Sequence, residues 1–84
     1  MPHYVYVLRC SNGSLYTGYT TNLEERVSKH NKGKGAKYTR SHRPVELAYH
    51  ETFRKKSLAL KREIEIKKLK RGEKLELVLG KVRQ

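Results

Sequence analysis

The sequence predicts a small α+β domain: a three-stranded, mainly antiparallel sheet flanked by helices, with elements in the order ββαβαα. Three observations predict it. Two runs rich in β-branched and aromatic residues enclose an Asn12-Gly13 pair, the strongest short-range hairpin signal. A third such run follows Pro44. Around these runs the apolar residues recur at helical spacing, and 84 residues leave room for a single core.

Tyr4 to Cys10 reads as the first strand and Leu15 to Thr20 as the second. Asn22 with Glu25 three positions on is a helix start. That helix runs from Leu23 to about Lys32, stops near Gly33, and places Leu23, Arg26, Val27 and His30 on one face. Residues 33–43 read as a basic loop; no Gly-Lys-Ser/Thr closes it, so it is not a P-loop. The third strand spans Val45 to Phe53, with Val45, Leu47, Tyr49 and Phe53 alternating with Glu46, Ala48, His50 and Thr52. Ser57 can cap a second long helix running to about Arg71, which Gly72 ends. Glu73 to Leu79 forms a short last helix. Residues 80–84 read as a frayed tail, giving one domain over 1–84 with its core in 3–79.

Charge narrows the function. Lys and Arg total 20 against 8 Glu and no Asp, a formal +12. Solubility alone asks for a net charge of only about 2–8 on a small domain. The excess implies a polyanionic partner, and nucleic acid is the commonest. The absence of Asp excludes Asp-containing triads and Walker B sites. A single cysteine, Cys10, excludes an intramolecular disulfide and any Cys-based zinc cluster, and suits a reducing cytoplasm. No apolar run is long enough for a transmembrane helix or signal peptide. Without Trp and with one Phe, the strongly basic C-terminal half lacks the aromatic anchors of a basic membrane binder.

Single residues admit plain readings. His3, His30, His42 and His50 lack ligand spacing, and each alone suits a surface or structural role. Cys10 in a strand suits a small buried hydrophobe. Tyr4, Tyr6, Tyr16 and Tyr19 crowd the hairpin; they can pack the core, or one can accept a proton if Arg26 and His30 supply cations that lower its pKa from about 10. On the second long helix, Glu63 lies between an apolar sector of Leu58, Ala59, Ile66 and Leu69 and another of Leu60 and Ile64. Lys61, Glu65 and Lys68 face away. A carboxylate amid apolar residues needs compensation. Lys67, one turn on, offers an i,i+4 pair, so the wheel alone leaves a structural and a functional Glu63 both open.

Tyr4-Val5-Tyr6, Tyr16-Thr17-Gly18, Arg26, His30 and Glu63, taken in this order and spacing, resemble the GIY-YIG nuclease domain over roughly residues 3–79, most nearly its small stand-alone bacterial members. The resemblance implies a three-stranded antiparallel sheet with helices and cleavage of a nucleic-acid phosphodiester with one divalent cation, Mg²⁺ or Mn²⁺. It implies DNA ahead of RNA, Glu63 as metal ligand, Tyr6 and Tyr16 on the attack side with one as general base, and Arg26 at the phosphate. His30 supports the site, and Gly18 lets the backbone come close. The chemistry needs an activated water and stabilised charge on the phosphorus oxygens and the leaving group, and one carboxylate can hold Mg²⁺ when waters and phosphate complete its shell.

Three features depart from the family pattern. Tyr4 stands where the family name has Gly, Tyr19 where many members carry Lys, and no Asn matches the one some members place after the glutamate. Tyr19, Lys34, Lys37 and Arg40 are then the expected nucleic-acid contacts, the lysines compensating for the missing cation. A shared site wants Tyr6 and Tyr16 on one face. A strict two-residue Asn12-Gly13 turn would separate them, so an odd, three-residue loop with Gly13 left-handed and a bulge is expected. Two functional readings stand: a metal-dependent endonuclease of low sequence specificity, or a nucleic-acid-binding module of the same fold that has lost the chemistry.

Overall fold

The computed structural model describes residues 1–80, so the end of the expected tail, residues 81–84, lies outside the described residues. Strands β1 (His3–Arg9), β2 (Leu15–Thr20) and β3 (Glu46–Phe53) form one antiparallel sheet in the order β2-β1-β3. The central place of β1 follows from its sequence. Val5, Tyr6, Val7 and Leu8 run without a charged residue and are buried on both faces of the sheet.

The hairpin register is the odd one. Tyr6 pairs with Gly18 and Leu8 with Tyr16. Ser11, Asn12 and Gly13 form the loop, with Cys10 N–H donating to Ser14 O (2.9 Å) and Gly13 N–H to Cys10 O (2.9 Å). Gly13 is left-handed at φ +85°, a conformation that favours glycine. Side chains alternate along a strand, so Tyr6, Leu8, Tyr16 and Gly18 share one face, and Val5, Val7, Thr17 and Tyr19 the other.

Each face carries its own apolar cluster. Helix α1 (Leu23–Asn31) packs Leu23 and Val27 against Tyr6, Leu8, Cys10 and Val45. The Asn22 side chain caps it by accepting from Glu25 N–H (3.1 Å), as the sequence predicts. On the other face, helices α3 (Lys56–Lys67) and α4 (Arg71–Val78) bring Ala59, Ile66 and Leu77 onto Val5 and Val7. Between α3 and β3, Arg62 Nε and Nη2 donate to the Glu51 carboxylate at 3.0–3.1 Å, and the Tyr49 hydroxyl donates to the same group.

Five sequence expectations need correction. Residues 33–43 are not all loop: Lys37–Arg40 form one turn of helix, α2, because the Thr39 hydroxyl donates back to Ala36 O (3.0 Å) and holds the turn closed. The alternation in the third strand is broken. Tyr49 lies opposite Val7 but Leu47 opposite Leu8, so Ala48 is an extra residue, a bulge. Tyr49, Glu51 and Phe53 therefore face α3 while Leu47 joins the α1 face. The second long helix begins at Lys56, with Ser57 inside it and Lys55 at its cap, and ends at Lys67. Gly72 does not end it but lies in the first turn of α4, which starts early because Lys70 N–H donates to the Glu73 carboxylate (2.9 Å). Leu58, Leu60 and Ile64, expected in apolar sectors, are exposed. Among the described residues no helix is long and apolar enough to cross a membrane.

Candidate active site

His30 is the hub of the α1 face. It sits in the last turn of α1, 1% exposed. Its Nε2 lies 2.9 Å from the Tyr6 hydroxyl, and its Nδ1 lies 2.6 Å from Thr39 Oγ1. The Thr39 hydroxyl gives its hydrogen to Ala36 O, so its oxygen accepts. Nδ1 then carries the imidazole hydrogen and Nε2 accepts from Tyr6. The approach of Ala36 N–H to Nδ1, at 3.4 Å, is too long to compete. Tyr6 and Tyr16 both meet the imidazole edge-on, with centroids 5.9 and 5.4 Å away.

Electrostatics fit this proton arrangement. Burial, and secondarily the Arg26 charge, hold His30 below the ordinary imidazole pKa, so it is a neutral acceptor. Burial above all pushes Tyr6 up to about 12; Tyr16 adds to the rise, the Arg26 guanidinium opposes it, and Glu63 adds a smaller push. The expectation that Arg26 and His30 together lower a tyrosine pKa is therefore corrected for Tyr6. His30 supplies no cation, and desolvation outweighs Arg26.

Two glycines make room for the pair. A Cβ on Gly18 would stand well under 3.0 Å from the Tyr6 hydroxyl, and one on Gly35 equally close to the His30 ring. Gly18 was singled out by the sequence; Gly35 and Thr39 were not, and Thr39 belongs to no recognisable pattern. The signal for Gly35 was present in a basic stretch with two glycines two residues apart, one of which, Gly33, is left-handed at φ +80° just past the end of α1.

Glu63 comes from α3, on the opposite side of the sheet, yet its charge reaches the Tyr6 phenol. Its side chain is 17% exposed and pairs with Lys67 Nζ at 3.1 Å. The i,i+4 pair is thus formed. Among the described residues no three His, Cys, Asp or Glu side chains cluster as a metal site. A hard cation can be held through one protein carboxylate when water and phosphate oxygens complete its shell, and Glu63 would be that carboxylate here. Lys67 must then share or release that carboxylate.

The remaining expected contacts divide. Lys34, Lys37 and Arg40 are exposed on and just before α2, beside Thr39. Tyr19 is not brought to the site. It lies opposite Val5 on the α3 side, where its hydroxyl meets His3 Nδ1 at 2.7 Å and Lys56 Nζ stands 5.9 Å from its ring centroid. It stands three positions after Tyr16, an odd offset, so the pleat turns it to the other face. Cys10 is free and buried, as expected.

Comparison with known proteins shows what the chain is similar to. The model of the GIY-YIG catalytic domain matches residues 2–76. A UPF0213 protein of Staphylococcus haemolyticus is 57% identical over 76 residues, covering 90% of this chain and 93% of that one. One from Staphylococcus epidermidis is 58% identical over the same shares. The solution NMR structure of a UPF0213 protein from Bacillus halodurans matches 96% of this chain and 86% of its own, with TM-score 0.63 and 49% identity. That of a protein from E. faecalis matches 100% and 91%, with TM-score 0.63 and 42% identity.

Proposed function

The chain belongs to the GIY-YIG catalytic domain family, and from that premise we propose that it is a divalent-metal-dependent endonuclease of low sequence specificity, acting on DNA ahead of RNA. The observation that carries the proposal is the meeting of Tyr6, Tyr16, Arg26 and His30 on one sheet face within range of the Glu63 charge.

The residues suggest how the proton moves. A phenol held near 12 is not a phenolate at neutral pH. Tyr6 can still take a proton from an attacking water if its own hydrogen passes to His30 Nε2, to which it is already bonded. The water oxygen then bonds to phosphorus, one P–O ester bond breaks, the leaving oxygen takes up a proton from solvent, and His30 returns the proton it received to Tyr6, which releases one to solvent. Tyr16, edge-on to the same imidazole, lines the attack side. Arg26 offers fixed positive charge to the phosphate oxygens. Glu63 would hold the cation, which when bound supplies further charge stabilisation at phosphate and leaving group. Lys34, Lys37 and Arg40 would hold the flanking backbone.

The Glu63–Lys67 pair favours a second reading, in which the carboxylate is occupied and the domain binds nucleic acid without cutting it. Incubation with labelled DNA and RNA of several structures, in Mg²⁺, Mn²⁺ or chelator, separates the two. Cleavage that needs the cation and vanishes in Glu63→Gln is expected; binding without cleavage in either metal would leave the binding module. Under both readings log K should fall with log salt at a slope of about −0.9 per neutralised phosphate, for about 4–6 phosphates. A slope near zero would reject nucleic acid as the partner.

A further inference from the structure

An exposed aromatic pair adjoins the candidate site and takes no part in the Tyr6–His30 arrangement. Tyr38, on α2, is 43% exposed. Its ring stacks on His42, with centroids 4.4 Å apart and planes 23° from parallel. The pair is fixed from several sides. The Tyr38 hydroxyl donates to Ser14 Oγ (2.6 Å), and His42 Nδ1 meets Tyr38 O at 2.8 Å, which makes that nitrogen the donor. His42 N–H donates to Thr39 O (3.1 Å), and His42 O accepts from Ser11 N–H (3.0 Å). A ring held this way loses little freedom when something settles on it.

Its surroundings are uniformly basic. Lys37 and Arg40 are exposed on the same helical turn, and no acidic residue occurs between Asn31 and Val45. Arg71 reaches the adjacent hairpin tip, where its Nη2 donates to Gly13 O (3.0 Å). A flat aromatic surface among cations that make no ion pair among the described residues matches a nucleobase with its phosphates and offers nothing to a cationic or purely apolar partner. The location is equally specific. Ser14, which anchors Tyr38, lies on the same face of the hairpin two residues before Tyr16, about 7 Å along an extended chain. Thr39, the next residue after Tyr38, is the one that holds His30.

We propose that the Tyr38–His42 stack is a platform for the base of an unpaired nucleotide next to the phosphate held at Tyr16 and Arg26. The substrate class is nucleic acid with a single-stranded segment at the site, because a base inside a duplex has both faces covered by its neighbours. The proposal rests on the nucleic-acid reading above, but not on the chemistry.

The test compares binding of oligothymidylate with that of an abasic oligomer of equal length and charge, in wild type, Tyr38→Ala and Tyr38→Phe, with melting temperatures on the same preparations. Wild type should bind the base-bearing oligomer more tightly. Tyr38→Ala should lose about 10-fold on it and nothing on the abasic oligomer, while Tyr38→Phe keeps the affinity. If Tyr38→Ala unfolds, Tyr38→Leu keeps the bulk without the π face and should show the same loss. Equal loss on both oligomers, or no loss on either, overturns the platform. Cleavage measured in parallel reports on the endonuclease alone: base-dependent binding without cleavage sinks that reading and keeps the platform, and cleavage without base-dependent binding does the reverse.

Discussion

The Tyr6 hydroxyl donates to His30 Nε2 across 2.9 Å while the other nitrogen of that ring is tied to Thr39 across 2.6 Å. Both ring nitrogens are therefore committed, and the imidazole is fixed in one tautomer and one orientation. A neutral imidazole is required, since a protonated ring could not accept from Tyr6.

This predicts how stability responds to acid. An unfolded histidine titrates near 6.5, and burial, with Arg26 second, holds His30 lower in the native state. Below pH about 6.5 the unfolded chain binds a proton that the native chain refuses, so acid favours unfolding. The contribution is complete above that pH and is lost as pH falls through the native value. The wild-type melting temperature should drop between pH 7.5 and 5 more steeply than that of His30→Gln. Parallel curves would mean that His30 takes up its proton freely in the folded chain.

Gly35→Ala tests the space around the ring. A methyl there collides with the His30 imidazole, and forcing such a group into a packed site costs about 1–3 kcal/mol. The variant should melt earlier and cleave at least about tenfold more slowly, the loss expected when a general-acid or general-base contact is misaligned. Unchanged melting would show that the ring can step aside.

Glu63→Gln and Lys67→Gln both break the 3.1 Å pair. With Lys67 about half exposed, the pair is worth at most about 0.3–0.5 kcal/mol, and the two variants should lose similar, small amounts of stability. Only Glu63→Gln should abolish cleavage. Equal cleavage in the two variants would reduce Glu63 to a structural partner.

Thr17 is 3% exposed, and its hydroxyl has no hydrogen-bond partner among the described residues. A buried hydroxyl left unsatisfied costs about 1–3 kcal/mol. Thr17→Val keeps the shape and removes the hydroxyl, so it should raise the melting temperature by several degrees, about 4–8 °C per kcal/mol in a domain of this size. A lower melting temperature would reveal a bound water at Thr17.

The residues that the sequence made legible are those whose partners lie at fixed spacing. Asn12-Gly13 announces the hairpin but by itself favours the even, two-residue turn; the odd register that puts Tyr6 and Tyr16 on one face follows only from requiring them to share a site. Asn22 announces α1, whose periodicity then delivers Arg26 and His30 together. Parity could equally have excluded Tyr19, three residues after Tyr16. What stayed hidden depends on contacts between distant segments. Thr39 matters because α2 folds back on the end of α1, and Ala48 bulges where β3 must meet β1 in register. Neither leaves a local signature. The raised Tyr6 pKa was hidden for a related reason: nearby cations can be read from a helix face, but the desolvation that outweighs them depends on how tightly the face is closed.

Strand β1 divides the interior in two. Val5 and Val7 serve one apolar cluster, Tyr6 and Leu8 the other, and consecutive residues of a single strand belong to different halves. Mutational drift in the half built on α3 and α4 can tune thermal robustness while the tyrosine–histidine geometry stays under separate constraint. Glu63 is the exception, because it is carried by the half that is otherwise free to vary. An engineer hardening this domain could rework Leu77, Leu69 or Thr17 with little reference to the proton path, but would have to leave the rotation of α3 about its own axis untouched.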